Sequence, residues 1–440
     1  MKTFFIQTLG CKVNQYESDG IASGLEERGW TKGEKNADVV IVNTCAVTSR
    51  AAMQSRQAIR KIIRENPEAK VIVTGCHAQT DPEAIKKIDH IDHLVCHQDK
   101  LKIADHLTST GVDPFSLRFR KIDRTESDPF KGFNHAVKGD MTRAYLKIQD
   151  GCNAFCTYCI VPHARGASVS MPENEVLRHL RELGASGVNE VIVTGIHAGM
   201  YGLDFKEKSS LLELLTRIDR DRPVYRLRLS SIEPCEINEG IIRLAGPGHI
   251  LCDHFHIPLQ SGDDGILRKM KRPYDRFFFK DMVQMIHGIL PFAGIGVDTL
   301  IGFPTETDRQ FENTYELIES LPISYLHVFP FSARKGTPAY HFDPKVDEKT
   351  IKDRCAGMRT LDKIKRREFV GRNLNQKQEG LVQNKPDKKT GMLKAITSNY
   401  LTVLLKGGPE LCGKILDLVP EQWDKDLIVK GRTVKGRISE

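Results

Sequence analysis

The stretch AYLKIQDGCNAFCTYC, residues 144–159, decides the fold of the central part of this chain. It begins with an apolar run typical of a β-strand and continues into a loop that carries Cys152, Cys156 and Cys159. Thiolates at these close spacings can converge on one iron–sulfur cluster, and three of them leave one iron of a four-iron cluster open. Structural zinc is the weaker alternative, because zinc needs a fourth ligand and His163 follows Pro162 without a second cysteine pair.

Six extended segments, of which this run is the first, lie between residue 142 and about residue 329. Each is separated from the next by sequence that can hold a helix or a loop. They span residues 144–149, 190–194, 225–230, 254–257, 295–301 and 325–329. Six strand–helix units are too few for a closed eight-stranded barrel but suit a partial one, whose active face is at the carboxyl ends of its strands.

The first 110 residues alternate short apolar runs with amphipathic stretches, which is the pattern of a doubly wound parallel sheet. Strands are expected at residues 4–9, 38–43 and 71–74, with helices between them. A chain with this alternation folds as an α/β layer structure, so the amino-terminal part is predicted to form a domain of its own.

Three further cysteines follow these strands. Cys11, Cys45 and Cys76 each lie within a few residues of a strand's carboxyl end. Because those ends share one edge of a parallel sheet, where ligands bind, the three thiols are predicted to converge. The alternative is that each is an ordinary buried thiol, the commonest state of a free cysteine.

After residue 371 the chain changes to short alternating runs at residues 393–405, 414–418 and 427–434, which favour a small β-barrel. Residues 371–440 hold 13 Lys and Arg against 8 Asp and Glu, so this part carries +5 of the net charge of +8. Such a basic β-module is expected of an RNA-binding appendage. The polar segment 111–140 is interpreted as a linker.

The overall composition is that of an ordinary globular protein, with 440 residues, 40% hydrophobic and 28% charged. Eleven unevenly spaced cysteines make a poor disulfide framework and indicate reduced thiols. The apolar run at residues 4–9 is interrupted by Gln7 and is shorter than an export signal requires, so it is expected to belong to the mature protein. No run is long enough to span a membrane, and a cytoplasmic location is expected.

These motifs resemble a known family. A C-x-x-x-C-x-x-C loop after the first strand of a six-unit barrel is the signature of radical S-adenosylmethionine enzymes. With a cysteine-bearing amino-terminal domain and a basic β-module, the chain resembles the methylthiotransferases, and most the branch that acts on threonylcarbamoyladenosine in tRNA. The resemblance rests on T-L-G-C-K-V-N at residues 8–14, the segment 150–166 ending V-P-H-A-R-G, T-G-I-H at 194–197, H-I-P-L-Q-S-G at 256–262 and D-T-L-I-G-F-P-T-E at 298–306.

The resemblance implies four regions and one activity. Residues 1–110 would form the methylthiotransferase domain, 111–140 the linker, 141–370 the radical S-adenosylmethionine domain and 371–440 an RNA-binding barrel of the TRAM type. The activity would convert N6-threonylcarbamoyladenosine at tRNA position 37 into its 2-methylthio form. Isopentenyladenosine in tRNA or a ribosomal-protein aspartate are alternative substrates of the same chemistry. A non-catalytic iron–sulfur protein that binds RNA or senses redox state is the alternative from another class.

The resemblance also implies cofactors, partners and site residues. Cys152, Cys156 and Cys159 would hold the radical-generating [4Fe-4S] cluster, and S-adenosyl-L-methionine would bind its open iron. The other three cysteines, Cys11, Cys45 and Cys76, would hold a second [4Fe-4S] cluster that carries the sulfur. Contacts to S-adenosylmethionine are expected from Tyr158, Thr194, Gly195, Ser231, Glu233, Gln260 and Gly302.

Two arginines, Arg165 and Arg334, are candidates for recognising a carboxylate or phosphate. The expected partners are a tRNA substrate and an electron donor such as flavodoxin or ferredoxin, with no membrane. The protein itself is expected to be a monomer.

Overall fold

The computed structural model of the chain describes residues 2–33, 36–108, 122, 129–424 and 427–438. Most of the predicted linker, residues 111–121 and 123–128, therefore lies outside the described residues. Within the described part, no helix combines the length and apolar character needed to cross a bilayer.

The amino-terminal part forms a five-stranded parallel sheet in the order β2-β1-β3-β4-β5. Its strands are β1 (Thr3–Thr8), β2 (Thr31–Lys32), β3 (Val39–Thr44), β4 (Lys70–Gly75) and β5 (His93–Leu94). Its helices are α1 (Lys12–Glu26), α2 (Ser49–Glu65), α3 (Cys76–Thr80), α4 (Pro82–Lys86) and α5 (Ile103–Thr108). The order reverses between β1 and β3, as in other doubly wound folds.

Both faces of this sheet are covered, which explains the continuous apolar runs of its strands. Alternate residues of β3 point to opposite faces: Ile41 packs in one core with Ile21 of α1, and Val42 packs in the other with Ile59 of α2. The predicted doubly wound sheet is therefore confirmed.

The central part forms two parallel three-stranded sheets, β6-β9-β10 and β11-β12-β13. The two sheets meet along β10 and β11, where isolated bridges join Leu227 to Leu251 and Ser231 to His256. The strands are β6 (Ala144–Lys147), β9 (Glu190–Thr194), β10 (Arg226–Leu229), β11 (His254–Gln260), β12 (Gly294–Ile301) and β13 (Tyr325–Pro330), with the short antiparallel pair β7 (Gln149–Asp150) and β8 (Val169–Ser170) beside them. This arrangement confirms the predicted six-stranded partial barrel.

Helices surround the partial barrel and bury its outer face. They are α6 (Val161–Arg165), α7 (Glu173–Ala185), α8 (Leu211–Asp221), α9 (Glu239–Leu244), α10 (Asp264–Lys269), α11 (Arg276–Ile289) and α12 (Asp308–Ser320). Helix α1 of the amino-terminal part also packs against β6, and its fully buried Tyr16 belongs to the core of the central part. One helix therefore contributes to both cores and joins the two parts.

The carboxyl-terminal part is a closed five-stranded barrel, reached through the long helix α13 (Glu348–Asn373). Its strands are β14 (Gln378–Val382), β15 (Leu393–Thr397), β16 (Thr402–Leu405), β17 (Ile415–Trp423) and β18 (Val429–Ile438), arranged β14-β15-β16-β18-β17. The predicted run 393–405 is two strands, because Tyr400 turns the chain with φ of +73°. Strand β14 was not predicted, since its five residues show no clear alternation.

This barrel is hydrogen-bonded to the amino-terminal ends of the central strands. Arg226 donates to the carbonyl of Ile396 at 2.8 Å, and Arg228 donates to the carbonyls of Thr397 at 2.9 Å and Ser398 at 2.7 Å. The carboxylate of Glu190 accepts bonds from both arginines and is fully buried. Burial alone would raise the pKa of Glu190, but the two guanidinium groups hold it well below its usual range.

We predict that Glu190→Gln destabilises the protein by about 3 kcal/mol, because it leaves two buried guanidinium groups without their counter-charge. Denaturant unfolding measures this loss, with Glu207→Gln on the exposed surface as the control. Because the pKa of Glu190 is lower in the folded state, its stabilisation is present above the ordinary glutamate pKa and is lost as the pH falls. The Gln variant should therefore lose less stability than the wild type on acidification, and an equal loss in both would contradict this assignment.

Candidate active site

The three amino-terminal cysteines lie at one edge of the first sheet. Cys11 precedes α1, Cys45 follows β3, and Cys76 is the first residue of α3 after β4. Gly10, with φ of +103°, passes so close to Cys45 that an added Cβ would lie 2.8 Å from its Cβ and 2.9 Å from its Sγ. Burial raises the pKa of Cys45 to about 11, and the neighbouring Cys76 and Cys11 add to the rise. The structure therefore places these three cysteines together at one edge of the sheet, as predicted.

The second cysteine set lies in the loop after β7. Gly151 starts this loop with φ of +71°, where a Cβ would lie only 1.8 Å from the carbonyl oxygen of Ala167. The amide of Cys152 donates to the carbonyl of Gly166 at 3.1 Å, and the amide of Cys159 donates to that of Cys156 at 3.0 Å. Burial raises the pKa of Cys159 to about 12, with contributions from Cys156 and Cys152. The loop is therefore fixed by its own backbone with the three thiols held near one another.

The two sets are neighbours across the boundary between the parts. Cys76 packs in one small apolar cluster with Ile160 and Ala164, and Ile160 follows Cys159 directly. The surface of Cys11 is exposed, but the protein packed around its thiol still removes part of its hydration and raises its pKa. The contacts of Cys76 place the two sets side by side at the boundary between the parts, and we call the space between them the cleft.

The spacing of the thiols tests which metal they fit. All eleven cysteines are free of disulfides. Among the described residues, the groups of three candidate ligands that lie within 4.8 Å of one another include no cysteine. Tetrahedral zinc with Zn–S bonds of about 2.3 Å would need sulfurs about 3.8 Å apart. Neither set is that compact, whereas a cluster of several iron atoms spans a wider set of thiolates.

Two side chains contact the sulfurs of the second set. His197 Nδ1 lies 3.3 Å from the Sγ of Cys152, and Arg272 donates to the Sγ of Cys156 at 3.4 Å. His197 also pairs with Glu236 at 2.5 Å, and Arg272 pairs with Glu233. Burial would lower the pKa of His197, but its bonds to Cys152 and Glu236 raise it to about 10. Both cations are thus placed where they would stabilise negative charge on the sulfurs of Cys152 and Cys156.

The central strands carry polar side chains on the inner face of the partial barrel, while residues such as Phe255 and Val297 point outward into the apolar core. We call this inner space the lumen, and its lining includes Arg228, His254, His256, Asp298, Tyr325 and His327. His256 and His327 both contact Oδ1 of Asp298, at 2.9 and 3.1 Å. Burial would raise the pKa of Asp298, but these two contacts lower it to about 2.

Comparison with known proteins assigns the family. The model of Uncharacterized protein family UPF0004 matches residues 3–96, and that of the Radical SAM superfamily matches residues 146–318. The threonylcarbamoyladenosine tRNA methylthiotransferase of Bacillus subtilis is 36% identical over 433 residues, which cover 94% of this chain and 93% of that protein. The enzyme of the same name from Aquifex aeolicus is 33% identical, covering 94% and 99%.

The chain belongs to the radical S-adenosylmethionine methylthiotransferases. A solved structure supports the fold: the radical S-adenosylmethionine methyltransferase TsrM from Kitasatospora setae superposes with a TM-score of 0.54 at 16% identity, covering 77% of each chain.

Four of the residues predicted to contact S-adenosylmethionine in this methylthiotransferase lie near the cysteine loop. Thr194 ends β9, and Gly195 lies so close to Gln149 that an added Cβ would be 2.9 Å from its Oε1. Tyr158, within the loop, packs against an apolar cluster of the central part. Glu233 is linked to the loop through Arg272, which contacts the sulfur of Cys156. Their placement suits a cofactor bound at the loop, and their roles remain predictions.

The other three predicted contacts are more dispersed. Ser231 hydrogen-bonds Nδ1 of His256 at 2.6 Å and so faces the lumen. Gln260, with φ of +65°, lies at an irregularity of β11. Gly302 has a packing reason, because an added Cβ would lie 2.4 Å from Ile351. A structural role therefore accounts for Gly302 without a ligand.

Arg165 does not fit its expected role of recognising an external anion. Its side chain is buried, bonds both Asp150 and Glu17, and donates to Asn14 at 2.7 Å. It is thus committed to an internal network. Arg334 is half-buried and donates to Ser49 Oγ at 3.4 Å, so it stays a candidate.

Sequence reasoning missed the side chains around the cysteines and in the lumen. His197 lies in the quoted T-G-I-H motif, but its contact with Cys152 depends on how two strand ends meet. A usable signal existed for the lumen: polar residues recur at every second position, as Arg226 with Arg228 and His254 with His256. This period of two on a strand buried on both faces indicates a polar interior.

We predict that Gly10→Ala lowers the iron and sulfide bound per chain, because the added methyl group would displace Cys45 and strain the backbone. Gly29→Ala is the matched control, since Gly29 also has a positive φ of +78° but nothing lies within 4 Å of its added Cβ. Both variants should lose about 1 kcal/mol from backbone strain. Equal iron content in the two would contradict the placement of Cys45 in a metal-binding set.

Proposed function

We propose that this protein is the enzyme that converts N6-threonylcarbamoyladenosine at tRNA position 37 into its 2-methylthio derivative. The observation that carries the proposal is the pair of separate cysteine sets beside one cleft, at the carboxyl ends of two different parallel sheets. Similarity along nearly the whole chain to enzymes named for this nucleoside supports the choice of substrate. Isopentenyladenosine and a ribosomal-protein aspartate are accordingly not favoured.

The cofactors that fit are two [4Fe-4S] clusters and S-adenosyl-L-methionine. Cys152, Cys156 and Cys159 would hold one cluster, and Cys11, Cys45 and Cys76 the other. When bound, these groups supply one-electron cleavage of S-adenosylmethionine together with the sulfur and methyl group of the product. The free thiols and their wide spacing support this donor set over zinc.

The protein's own contribution is orientation and charge. Arg272 and His197 hold the sulfurs of Cys156 and Cys152 in place through charge-assisted hydrogen bonds. Bonds to ligating sulfurs and nearby cations raise the reduction potential of a cluster, because they stabilise its additional negative charge. Glu233 and Glu236 fix these two cations in turn.

Reaction at one adenine requires both cysteine sets to be near the same base. The contact of Cys76 with Ile160 and Ala164 supports such a geometry, because it brings the first set to the residues that follow the second. Helix α1, which packs in both cores, keeps this distance constant. The chain therefore supplies a fixed reaction space between two preorganised sites.

The remaining partners are proposed from composition and location. The basic carboxyl-terminal barrel would bind the tRNA backbone, consistent with its excess of five positive charges. The chain would work as a monomer in the reducing cytoplasm, where a flavodoxin or ferredoxin would deliver the electrons. A non-catalytic iron–sulfur protein is not favoured, since the full-length relatives are enzymes.

We predict that the two cysteine sets fail in different ways under anaerobic reducing conditions. Cys152→Ala should abolish formation of 5′-deoxyadenosine, since the cofactor-cleaving set is broken. Cys11→Ala should leave some 5′-deoxyadenosine but yield no 2-methylthio nucleoside. Mass spectrometry of the small molecules and of digested tRNA measures both products, with Cys412→Ala in the carboxyl-terminal barrel as the control.

The wild type should convert tRNA that carries threonylcarbamoyladenosine and leave tRNA that carries isopentenyladenosine unchanged. Identical behaviour of the Cys152 and Cys11 variants would contradict the two-site assignment. A 2-methylthio product formed only from the isopentenyl substrate would contradict the proposed nucleoside.

We predict that replacing Lys388 and Lys389 by Gln weakens tRNA binding, because both side chains are exposed on the carboxyl-terminal barrel. Each lost phosphate contact should lower the slope of log K against log salt by about 1. Binding titrations at several salt concentrations measure this slope, with Lys349 and Lys352 on α13 replaced in the control. An unchanged slope would exclude this part of the barrel from the RNA interface.

A further inference from the structure

Lys12, a cation near the lumen, has no acidic partner among the residues that the structure describes. The cations Arg143, Lys147, Arg226 and Arg228 pair with Glu190, Glu17 or Asp150. Lys12 of α1, which packs against β6, also lies near Arg143, Arg228 and Asp298. No carboxylate among the described residues lies within 4.0 Å of its ammonium group. It is the first residue of α1 and directly follows Cys11.

The surroundings of Lys12 compensate its charge only in part. Among the groups whose charges act on it, Tyr400 and Asp298 favour the charged ammonium, whereas the cations Arg143 and Arg228 disfavour it. Asp298 is the one carboxylate in this group, and its Oδ1 already accepts contacts from two imidazoles. The ammonium is thus partly enclosed by protein, with no carboxylate at ion-pair distance among the described residues.

The local position of Lys12 makes this lack of a partner more informative. The first turn of a helix carries a partial positive charge, which disfavours a lysine there. No acidic side chain occupies the first turn of α1. A residue that is unfavourable for its own helix and unpaired within the fold is expected where a ligand supplies the missing interaction.

We propose that Lys12 binds the carboxylate of the threonyl group of the substrate nucleoside and thereby selects this nucleoside over those with a neutral N6 substituent. The inference rests on the proposed function and deepens it. The threonylcarbamoyl group carries one carboxylate, which is ionised at neutral pH, whereas an isopentenyl group carries no charge. A carboxylate in contact with the ammonium would provide a charge-assisted hydrogen bond in a partly dehydrated space.

The chemistry of adenine explains why this cation lies beside a cysteine of the first set. Carbon 2, which receives the sulfur, and carbon 6, which bears the substituted nitrogen, both flank ring nitrogen N1. The substituent on N6 and the reacting carbon therefore share one edge of the base. A side chain that recognises the substituent must lie close to the group that delivers the sulfur, and Lys12 is adjacent to Cys11.

Two other anions could occupy Lys12: a phosphate of the anticodon backbone and the carboxylate of S-adenosylmethionine. The first is present in every tRNA, and the second is independent of the tRNA. A test must therefore compare substrates that differ only in the threonyl carboxylate.

The experiment uses two anticodon stem-loops, one with threonylcarbamoyladenosine and one with its carboxamide, which removes the charge and keeps the shape. Binding and turnover are measured for the wild type, Lys12→Met, Lys12→Gln, Lys12→Arg and Lys32→Met. Lys32 is the matched control, because it pairs with Asp140 on the exposed surface of the same part.

The wild type and the Lys32 variant should bind the carboxylate stem-loop about 10- to 100-fold more tightly than the carboxamide. Both neutral variants at position 12 should lose this preference, with KM for the carboxylate stem-loop rising by a similar factor. The Arg variant should restore part of it. The preference is a ratio measured on one preparation, so it does not depend on how much iron each variant retains.

Three results would overturn the proposal. In the first, the neutral variants keep the preference for the carboxylate stem-loop. In the second, they lower the affinity for both stem-loops equally, as expected for a phosphate contact. In the third, they change only the KM for S-adenosylmethionine. A wild type that forms no 2-methylthio product would instead contradict the proposed function. The binding ratio would still report on Lys12 in that case, so the two failures are distinguishable.

Discussion

A buried ionic network between the first two parts of the chain sets the distance between the cysteine sets. Glu17 of α1 bonds Arg165, Lys147 and Lys100, and Asp150 bonds Arg165 and Lys147 as well. Burial would raise the pKa of both carboxyls, yet the surrounding cations hold them far below their usual range. Three cations face two carboxylates, which leaves one positive charge beside the thiols. Burying these charges is costly. What the network provides is a specific relative position of two sites, since Glu17 lies six residues from Cys11 and Asp150 two residues from Cys152.

Periodicity and strand-end position predicted much of this molecule. The buried run of β3 and the alternation of the central strands located both sheets, and parallel topology alone implied that Cys11, Cys45 and Cys76 would meet. Contacts between parts were beyond such reasoning. Nothing in the local sequence of Arg165 distinguishes an anion-binding arginine from one that bonds Glu17, because the difference lies in which helices pack together. The same applies to His197, whose contact with Cys152 joins segments 45 residues apart.

The carboxyl-terminal barrel does more than its basic composition indicated. Its β15–β16 turn enters the partial barrel at the amino-terminal ends of the strands, where the ring of Tyr400 stacks on His254 with centroids 4.4 Å apart. Gly294 has to be a glycine there, since an added Cβ would lie 2.1 Å from the carbonyl oxygen of Asn399. The turn thereby covers the end of the lumen opposite to the cysteine loop, so a substrate base would have to enter from the side of the cleft.

The hydrogen bonds from Arg226 and Arg228 to the backbone of residues 396–398 fix the distance between the carboxyl-terminal barrel and the cleft. A module held by several bonds to a rigid sheet cannot swing on a tether, so the span from its basic surface to the cleft is constant. An RNA arm resting on that surface would present to the chemistry only the nucleotide whose reach along the arm equals this span. The fold would thus select a nucleotide by its distance from the bound RNA arm, before any contact with its base.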